Sequence, residues 1–186
     1  MKTLIAAIAL ALSAPLAAPA ADLSYSYVEG GWYKEDVDNA PRADGWQVAG
    51  SGAITDNIHA FGGYTRASAD GAMDLEGKSM HVGLGWNTRV GNSSDLVVRA
   101  AWLRNELDRP FDISRDGVQA EVGLRSGLGE HLETYVAAAY RDISADSDFF
   151  ARLGAQYKFT PSFGLVANVD WDGDGQTYFV GPRLTF

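Results

Sequence analysis

The 186-residue chain has no cysteine. That excludes disulfide staples, thiolate chemistry and cysteine-ligated zinc together. Basic residues are in the minority: 15 Lys and Arg stand against 24 Asp and Glu, a formal net charge of -9. A stripe that tracks phosphates needs the opposite balance, so nucleic acid is not an expected partner. Beyond the N-terminus no apolar run approaches the 18 or so residues of a membrane helix, which excludes a helical membrane protein. A soluble domain and a membrane β-barrel remain, and average hydropathy does not separate them.

Met1 to Ala20 reads as an export signal. It has a basic start at Lys2, an apolar stretch from Leu4 to Leu12 and a small-residue end, Ala18-Pro19-Ala20, that fits the cleavage pattern. The expected division is a signal peptide at 1–20 and one domain at 21–186, and without a cysteine at the cleavage site no lipid anchor is expected.

The rest of the chain alternates with a period of two. Met80, Val82, Leu84 and Trp86 interleave with Ser79, His81, Gly83 and Gly85, and Val118, Ala120, Val122 and Leu124 with Gln119, Glu121 and Gly123. Similar runs occur at 149–159 and 165–171. Each has one apolar and one polar face and an apolar set about 9–11 residues long, the length of a tilted membrane-spanning strand. With weaker runs included, strands are expected near 23–35, 44–54, 58–69, 78–90, 95–105, 116–126, 131–141, 149–159, 163–171 and 176–186. The count is ten, or eight if two short hairpins are loop. The facing of 58–69 stays open: either Tyr64 points outward with Ile58, Ala60 and Gly62, or Phe61 does.

Connections alternate in character. Thr55-Asp56-Asn57, Gly91 to Ser94, Gly127 to Glu130 and Thr160-Pro161-Ser162 are short turns. The segments near 35–44, 70–78, 106–116 and 142–148 read as longer and acidic, and 172–175 as short but equally acidic; together these five hold 16 of the 24 acids and four basic residues. A soluble sandwich has no reason for that alternation, whereas an outer-membrane barrel does. The aromatic residues favour the barrel too. Trp32, Trp46, Trp102, Tyr140, Phe149, Trp171 and Tyr178 fall at one level of such a barrel, and Trp86, Tyr157, Phe159 and Phe186 at the other, as two interfacial girdles. The expected fold is all-β: a transmembrane, antiparallel, up-and-down β-barrel.

The same alternation turns Glu29, Glu121, Glu133 and Asp170 inward, with Arg99, Arg125, Arg141, Arg152, Lys158 and Arg183, and with Gln47, Gln119, Gln156, Asn168 and His81. Charges in a narrow interior must be paired or hydrated. The lumen is therefore expected to be plugged by ion pairs, or else to hold a narrow water path whose basic surplus favours small anions. The acidic outer segments could serve as a solvated surface or hold divalent cations that bridge to phosphate-bearing lipid head groups.

Asp170, Asp172, Asp174 and Gly175 match the first positions of a calcium loop, but the bidentate acid expected at position 12 is Gly181. A strand end and a turn explain the run better, so no metal site is expected. Of the three histidines, His59 and His131 lie near turns and His81 shares an inward face with Ser79, with no third orienting group. No catalytic residue and no cofactor is expected.

The closing Tyr178-Phe-Val-Gly-Pro-Arg-Leu-Thr-Phe186, with Tyr178, Val180, Leu184 and Phe186 on its outward face, resembles the terminal strand signal that bacterial outer-membrane proteins present to the barrel-assembly machinery. The segments Tyr25 to Trp32 and Phe61 to Arg66 also resemble the small outer-membrane β-barrel family, and within it the gammaproteobacterial group once named for activating plant immunity. The resemblance implies an exported, monomeric protein of the bacterial outer membrane that touches outer-membrane lipid and lipopolysaccharide, and it brings no catalytic residues. The expected role is structural or surface-interactive, with a charge-paired lumen and acidic extracellular loops; the alternative is a narrow, weakly anion-preferring channel.

Overall fold

A computed structural model describes residues 23–38, 41–69, 75–108, 113–144 and 146–186. Ten antiparallel strands form one sheet that closes on itself, in the order β1-β10-β9-β8-β7-β6-β5-β4-β3-β2. They are β1 (Tyr27–Val37), β2 (Ala43–Ala53), β3 (Ile58–Ala69), β4 (Leu75–Val90), β5 (Ser94–Asp108), β6 (Ile113–Leu128), β7 (Leu132–Ile143), β8 (Asp146–Thr160), β9 (Phe163–Trp171) and β10 (Gly175–Thr185). Every strand pairs with its sequence neighbours, and β1 meets β10 from Tyr27 opposite Thr185 to Val37 opposite Gly175. Closure leaves no strand edge with open backbone groups, which is what lets a sheet cross a bilayer.

The ten strands and their up-and-down order agree with the alternation of the sequence, and two differences are informative. The first strand begins at Tyr27 rather than near residue 23. Residues 23–26 leave the sheet, and Leu23 and Tyr25 are buried, because Tyr25 finds a site inside the barrel mouth described below. The strands also run further than expected at one end. β4, β5, β6 and β8 reach 15 or 16 residues, since polar residues beyond the apolar stretch do not stop the backbone ladder where water can solvate their side chains. Most of the segment 142–148, expected as a long loop, is strand: β7 runs to Ile143 and β8 begins at Asp146, with Ser144 at φ 49°. The connections at this loop end are thus 38–42, 70–74, 109–112, 144–145 and 172–174. At the opposite turn end, Gly91 (φ 74°) and Gly129 (φ 77°) take the left-handed conformation that glycine adopts without strain. The expected signal peptide at 1–20 lies outside the described residues, as do 39–40, 70–74, 109–112 and 145 of the acidic segments.

Solvation is inside out relative to a soluble domain. Val48, Val82, Leu84, Val118, Val122, Leu165 and Leu184 are exposed on the outer wall. Buried inside are Glu121, Glu133, Arg125, Asp95 and His59, with Val97, Val166, Phe179 and Leu103 among them. The open facing of β3 is resolved: Tyr64 points outward, its ring 5.5 Å from that of Trp46, while Phe61 points inward toward His81, 6.0 Å away.

Inward rings are accommodated by glycine on the next strand. His59 stands opposite Gly85 and Phe61 opposite Gly83 across β3 and β4. A Cβ on Gly85 would lie 2.1 Å from His59 Nε2, and one on Gly83 2.8 Å from the Phe61 ring. The His59 ring has nowhere to retreat, because it is stacked on Tyr25 at 4.6 Å. Gly85→Ala should therefore destabilise the barrel by about 1–3 kcal/mol through overpacking. Gly52→Ala, whose added carbon meets no atom within 4 Å, should change stability by no more than roughly 0.5 kcal/mol. Denaturant unfolding of both variants in detergent or lipid vesicles measures the difference.

Candidate functional site

The interior holds several groups of paired charges, built where strand register sets opposite signs side by side. Arg99 stands directly opposite Glu121 across β5 and β6, Arg152 opposite Asp170 across β8 and β9, and Glu29 opposite Arg183 across β1 and β10. Glu121 is the hub, with 2% of its surface exposed. Its Oε1 accepts a hydrogen bond from Tyr135 Oη at 2.6 Å and lies 3.6 Å from Arg99 Nη1, and its Oε2 accepts from Arg152 Nη1 at 2.9 Å. Arg152 also grips Asp170 through two parallel bonds, Nε to Oδ1 and Nη2 to Oδ2, each 2.7 Å. This bidentate form is the strongest pairing open to a guanidinium and a carboxylate.

Toward the turn end a second group closes the mouth. Arg125 Nε donates to Glu133 Oε2 at 3.0 Å, Lys158 pairs with the other oxygen of Glu133, and Arg125 Nη1 donates to the Ser24 carbonyl at 2.7 Å. Tyr25 lies across this end. Its hydroxyl donates to Asp95 Oδ2 at 3.0 Å, and its ring packs between His59 and the Arg125 guanidinium, 5.0 Å from the ring centre. Burial raises the Tyr25 phenol well above its ordinary range, against the opposing pull of Arg125, so it stays a proton donor to Asp95. His59 Nδ1 is within 3.3 Å of Asn87 Oδ1, and its Nε2 accepts from Arg99 Nε at 3.3 Å, which ties the mouth to the Glu121 hub. On the β1 side Arg183 donates to Glu29 Oε2 at 2.6 Å and to Gln156 Oε1 at 2.9 Å. At the loop end Arg141 lies 3.8 Å from Asp172.

Aromatic rings complete the solvation of these cations. Arg99 lies between Phe61 (5.2 Å) and Tyr135 (5.5 Å), Arg183 over Tyr27 (4.1 Å), and Arg141 and Arg152 share Phe150 at 5.2 and 5.6 Å. Such contacts contribute most where the cation has lost water. Sequence reasoning missed these inward rings, and it missed Asp95, Asp172 and Arg89 as members of the network. Arg89 Nε pairs with Asp95 Oδ1 at 3.0 Å. For some of them the available signal was an inward glycine opposite the ring, as Gly83 is to Phe61 and Gly154 to Tyr135. The added carboxylates narrow the basic surplus on which an anion-preferring lumen was expected. A cavity of about 230 Å³ runs along the lumen past the hub, from Glu133 and Arg125 toward the turn end to Arg141 and Asp170 toward the loop end, with Gln47, Ser79, His81 and Asn168 in its wall.

The remaining candidate residues fall as follows. The outward aromatics cluster: Trp32 stands opposite Trp46, and Tyr140 packs on Phe149 at 4.9 Å near the loop end, while Tyr157 and Phe159 form a pair at 5.4 Å near the turn end. Trp86 and Trp102 are exposed on the same wall, and Trp171 and Tyr178 are half-exposed at the loop end of β9 and β10. On β10, Val180, Leu184 and Phe186 are exposed, and the Phe186 N–H donates to the Ser26 carbonyl at 3.0 Å. The run from Asp170 does not converge on one point. Asp170 is held by Arg152, and Asp172 Oδ1 accepts the Asp174 N–H at 3.0 Å in a local turn. Among the described residues no group of three or more His, Asp or Glu is arranged to hold a metal ion. His81 faces the lumen beside Phe61, and His131 lies by Tyr157.

No protein-family model matches the chain, and no curated protein matches it in sequence. Solved structures do match in fold. The translocator domain of the autotransporter NalP from Neisseria meningitidis superposes with a TM-score of 0.50 at 13% identity, covering 100% of this chain and 97% of that one. The KdgM porin gives a TM-score of 0.49 at 11% identity, covering 86% and 99%. OprG, an outer membrane protein from Pseudomonas aeruginosa, gives 0.47 at 13% identity, covering 91% and 99%. At these identities the likeness is one of fold, the closed β-barrel of outer-membrane proteins.

If Glu121 is the hub, its removal leaves the largely buried Arg99 without its carboxylate and Arg152 with Asp170 alone. Glu121→Gln should cost about 3–5 kcal/mol of stability. Asp36→Asn, which loosens only the exposed pair with Arg42, should cost under about 1 kcal/mol. Unfolding midpoints in one lipid system test the contrast.

Proposed function

We propose that the chain is an exported protein that spans the bacterial outer membrane as a barrel with a closed lumen and acts through its outer surface. The turn end faces the periplasm and the loop end the exterior. The observation that carries this reading is the pairing of the inward charges. Inward charges have partners from Glu133 at the turn end through Glu121 to Asp170, and Tyr25 with the Arg125 group lies across the mouth. A solute would have to break several charge-assisted bonds at once to pass. The outward tryptophans and tyrosines near both ends support the membrane reading, since such rings favour the membrane–water boundary. Acidic residues concentrated at the loop end keep the exposed face soluble and are hard oxygen ligands for divalent cations. The outward Tyr178, Val180, Leu184 and Phe186 support recognition by the barrel-assembly machinery. The narrower likeness to the gammaproteobacterial group named for activating plant immunity rests on the Tyr25–Trp32 and Phe61–Arg66 segments alone.

The second reading, a narrow anion-preferring channel, is supported by the polar cavity of about 230 Å³ that runs past the hub from Glu133 to Arg141. Conductance separates the two. The refolded barrel in a planar bilayer under a salt gradient should be silent, and discrete steps with anion preference would establish the channel instead. The membrane reading has its own check. All five tryptophans (Trp32, Trp46, Trp86, Trp102 and Trp171) lie on outward-facing strand positions, so lipids brominated near the head group should quench their emission more than lipids brominated at the chain end. Emission unaffected by either lipid would contradict a spanning barrel.

A further inference from the structure

The outward basic residues lie on one flank of the barrel. Along each strand the outward positions are those in step with an exposed apolar residue such as Trp32, Val48, Val82 or Val118. Among the described residues, the only Lys and Arg at such positions are Lys34 on β1, Arg66 on β3, Lys78 on β4 and Arg104 on β5. All four are near the loop end. The corresponding positions on β6 to β10 are Asp116, Asp142, Ser147, Trp171 and Gln176. That flank has as much exposed apolar wall, including Phe149 and Val118, but no cation.

Three of the cations form a cluster on the wall. Arg66 stands directly opposite Lys78 across β3 and β4, and Arg104 stands opposite Met80, one outward position along from Lys78. Beside or beneath them lie Trp46 opposite Arg66, Tyr64 opposite Met80, and Trp102 opposite Val82. Like charges placed directly opposite one another on a sheet are unfavourable unless an anion lies between them. Glu76 takes that place, 2.8 Å from Arg66 Nε and 3.8 Å from Lys78 Nζ, and Glu106 lies 2.8 Å from Arg104 Nε. Asp116 faces Arg104 from β6. These pairs are partly exposed, and pairs of that kind contribute little in water. A phosphate can displace the carboxylates, because it offers a guanidinium the same bidentate geometry with more charge.

We propose that this flank binds a phosphate-bearing glycolipid of the outer leaflet. Its acyl chains lie along Met80, Val82 and Trp102, and its phosphates sit on Arg66, Lys78 and Arg104. Cations just beyond an exposed apolar and aromatic wall lie at head-group depth, where anionic lipid is attracted to them. The cluster spans two interstrand spacings, roughly 10 Å, which suits a head group with more than one phosphate. The proposal rests on the membrane-spanning reading and adds an orientation: the lipid is held on β3 to β5 and not on β6 to β10.

The test uses the full refolded barrel in neutral detergent micelles, titrated with lipopolysaccharide and with the same material stripped of phosphate. Wild type should prefer the phosphorylated form by roughly a hundredfold, about fivefold for each of the three cations. The triple variant Arg66→Gln, Lys78→Gln, Arg104→Gln should bind the two forms alike, while Arg66→Lys with Arg104→Lys should keep most of the preference. A wild type without preference, or a triple variant that retains it, would overturn the proposal. Tryptophan quenching by brominated lipid, run on the same preparations, separates the two levels. Intact quenching without phosphate preference removes only the flank, whereas lost quenching in the wild type removes the spanning barrel itself.

Discussion

A carboxylate almost without solvent, Glu121, constrains the interior more than any other group. An isolated ion in that position would cost several kcal/mol, so Arg99 and Arg152 must both reach it, and Tyr135 must donate its hydroxyl. Each partner then brings its own requirement. Arg152 needs Asp170 for the rest of its guanidinium and Phe150 for one face. Arg99 needs Phe61 and Tyr135 on its faces and His59 at its Nε. The rings need room, and the wall gives it with Gly83 and Gly85. A chain of dependence thus runs from one charge to the absence of side chains two strands away.

This arrangement explains why apolar residues are on the outside. A ten-stranded barrel leaves little internal width, and rings, guanidiniums and carboxylates already occupy most of it. Val97, Val166 and Ala137 fit among them, with a few larger apolar residues such as Leu103 and Phe179. Most of the larger apolar side chains are left to the outer wall, where a bilayer solvates them. Closure of β1 on β10 then satisfies the backbone in both environments. Polar inside and apolar outside are one solution to one constraint.

Much of this was legible in the sequence, for a definite reason. A strand has a period of two, so once Val82 or Val122 is outward the facing of His81 or Glu121 follows. The ten strands, their antiparallel order and the inward turn of Arg99, Arg152 and Asp170 need nothing more. Partner choice is different, because it depends on register around a closed sheet. Glu121 and Arg152 meet across β7, and no local pattern encodes that. The inward rings were hidden because an aromatic residue has the same hydropathy on either face; Phe149 and Phe150 are adjacent, and one is outward while the other covers Arg141 and Arg152. The strand ends were hidden because polar alternation beyond the apolar belt looks like loop. Tyr25 was read as strand, since only the finished mouth, with His59, Asp95 and Arg125, offers it a better place.

The proposed closed lumen would also decide where interaction can occur. With the lumen charges engaged with one another, what is left for partners is the loop end and the lipid-facing wall. The two carry opposite signals. The loop end gathers most of the acids, whereas among the described residues the outward cations Arg66, Lys78 and Arg104, interleaved with Glu76 and Glu106, lie on β3 to β5 and none lies on β6 to β10. At the proposed glycolipid site an acidic crown would repel anionic lipid, and the phosphates would approach from the side, within the leaflet. Under that proposal the barrel would have a preferred lipid flank and a bare flank. Such directionality cannot come from the interior, whose charges are nearly balanced around the ring. It comes from four outward cations placed on one half of an otherwise uniform apolar surface.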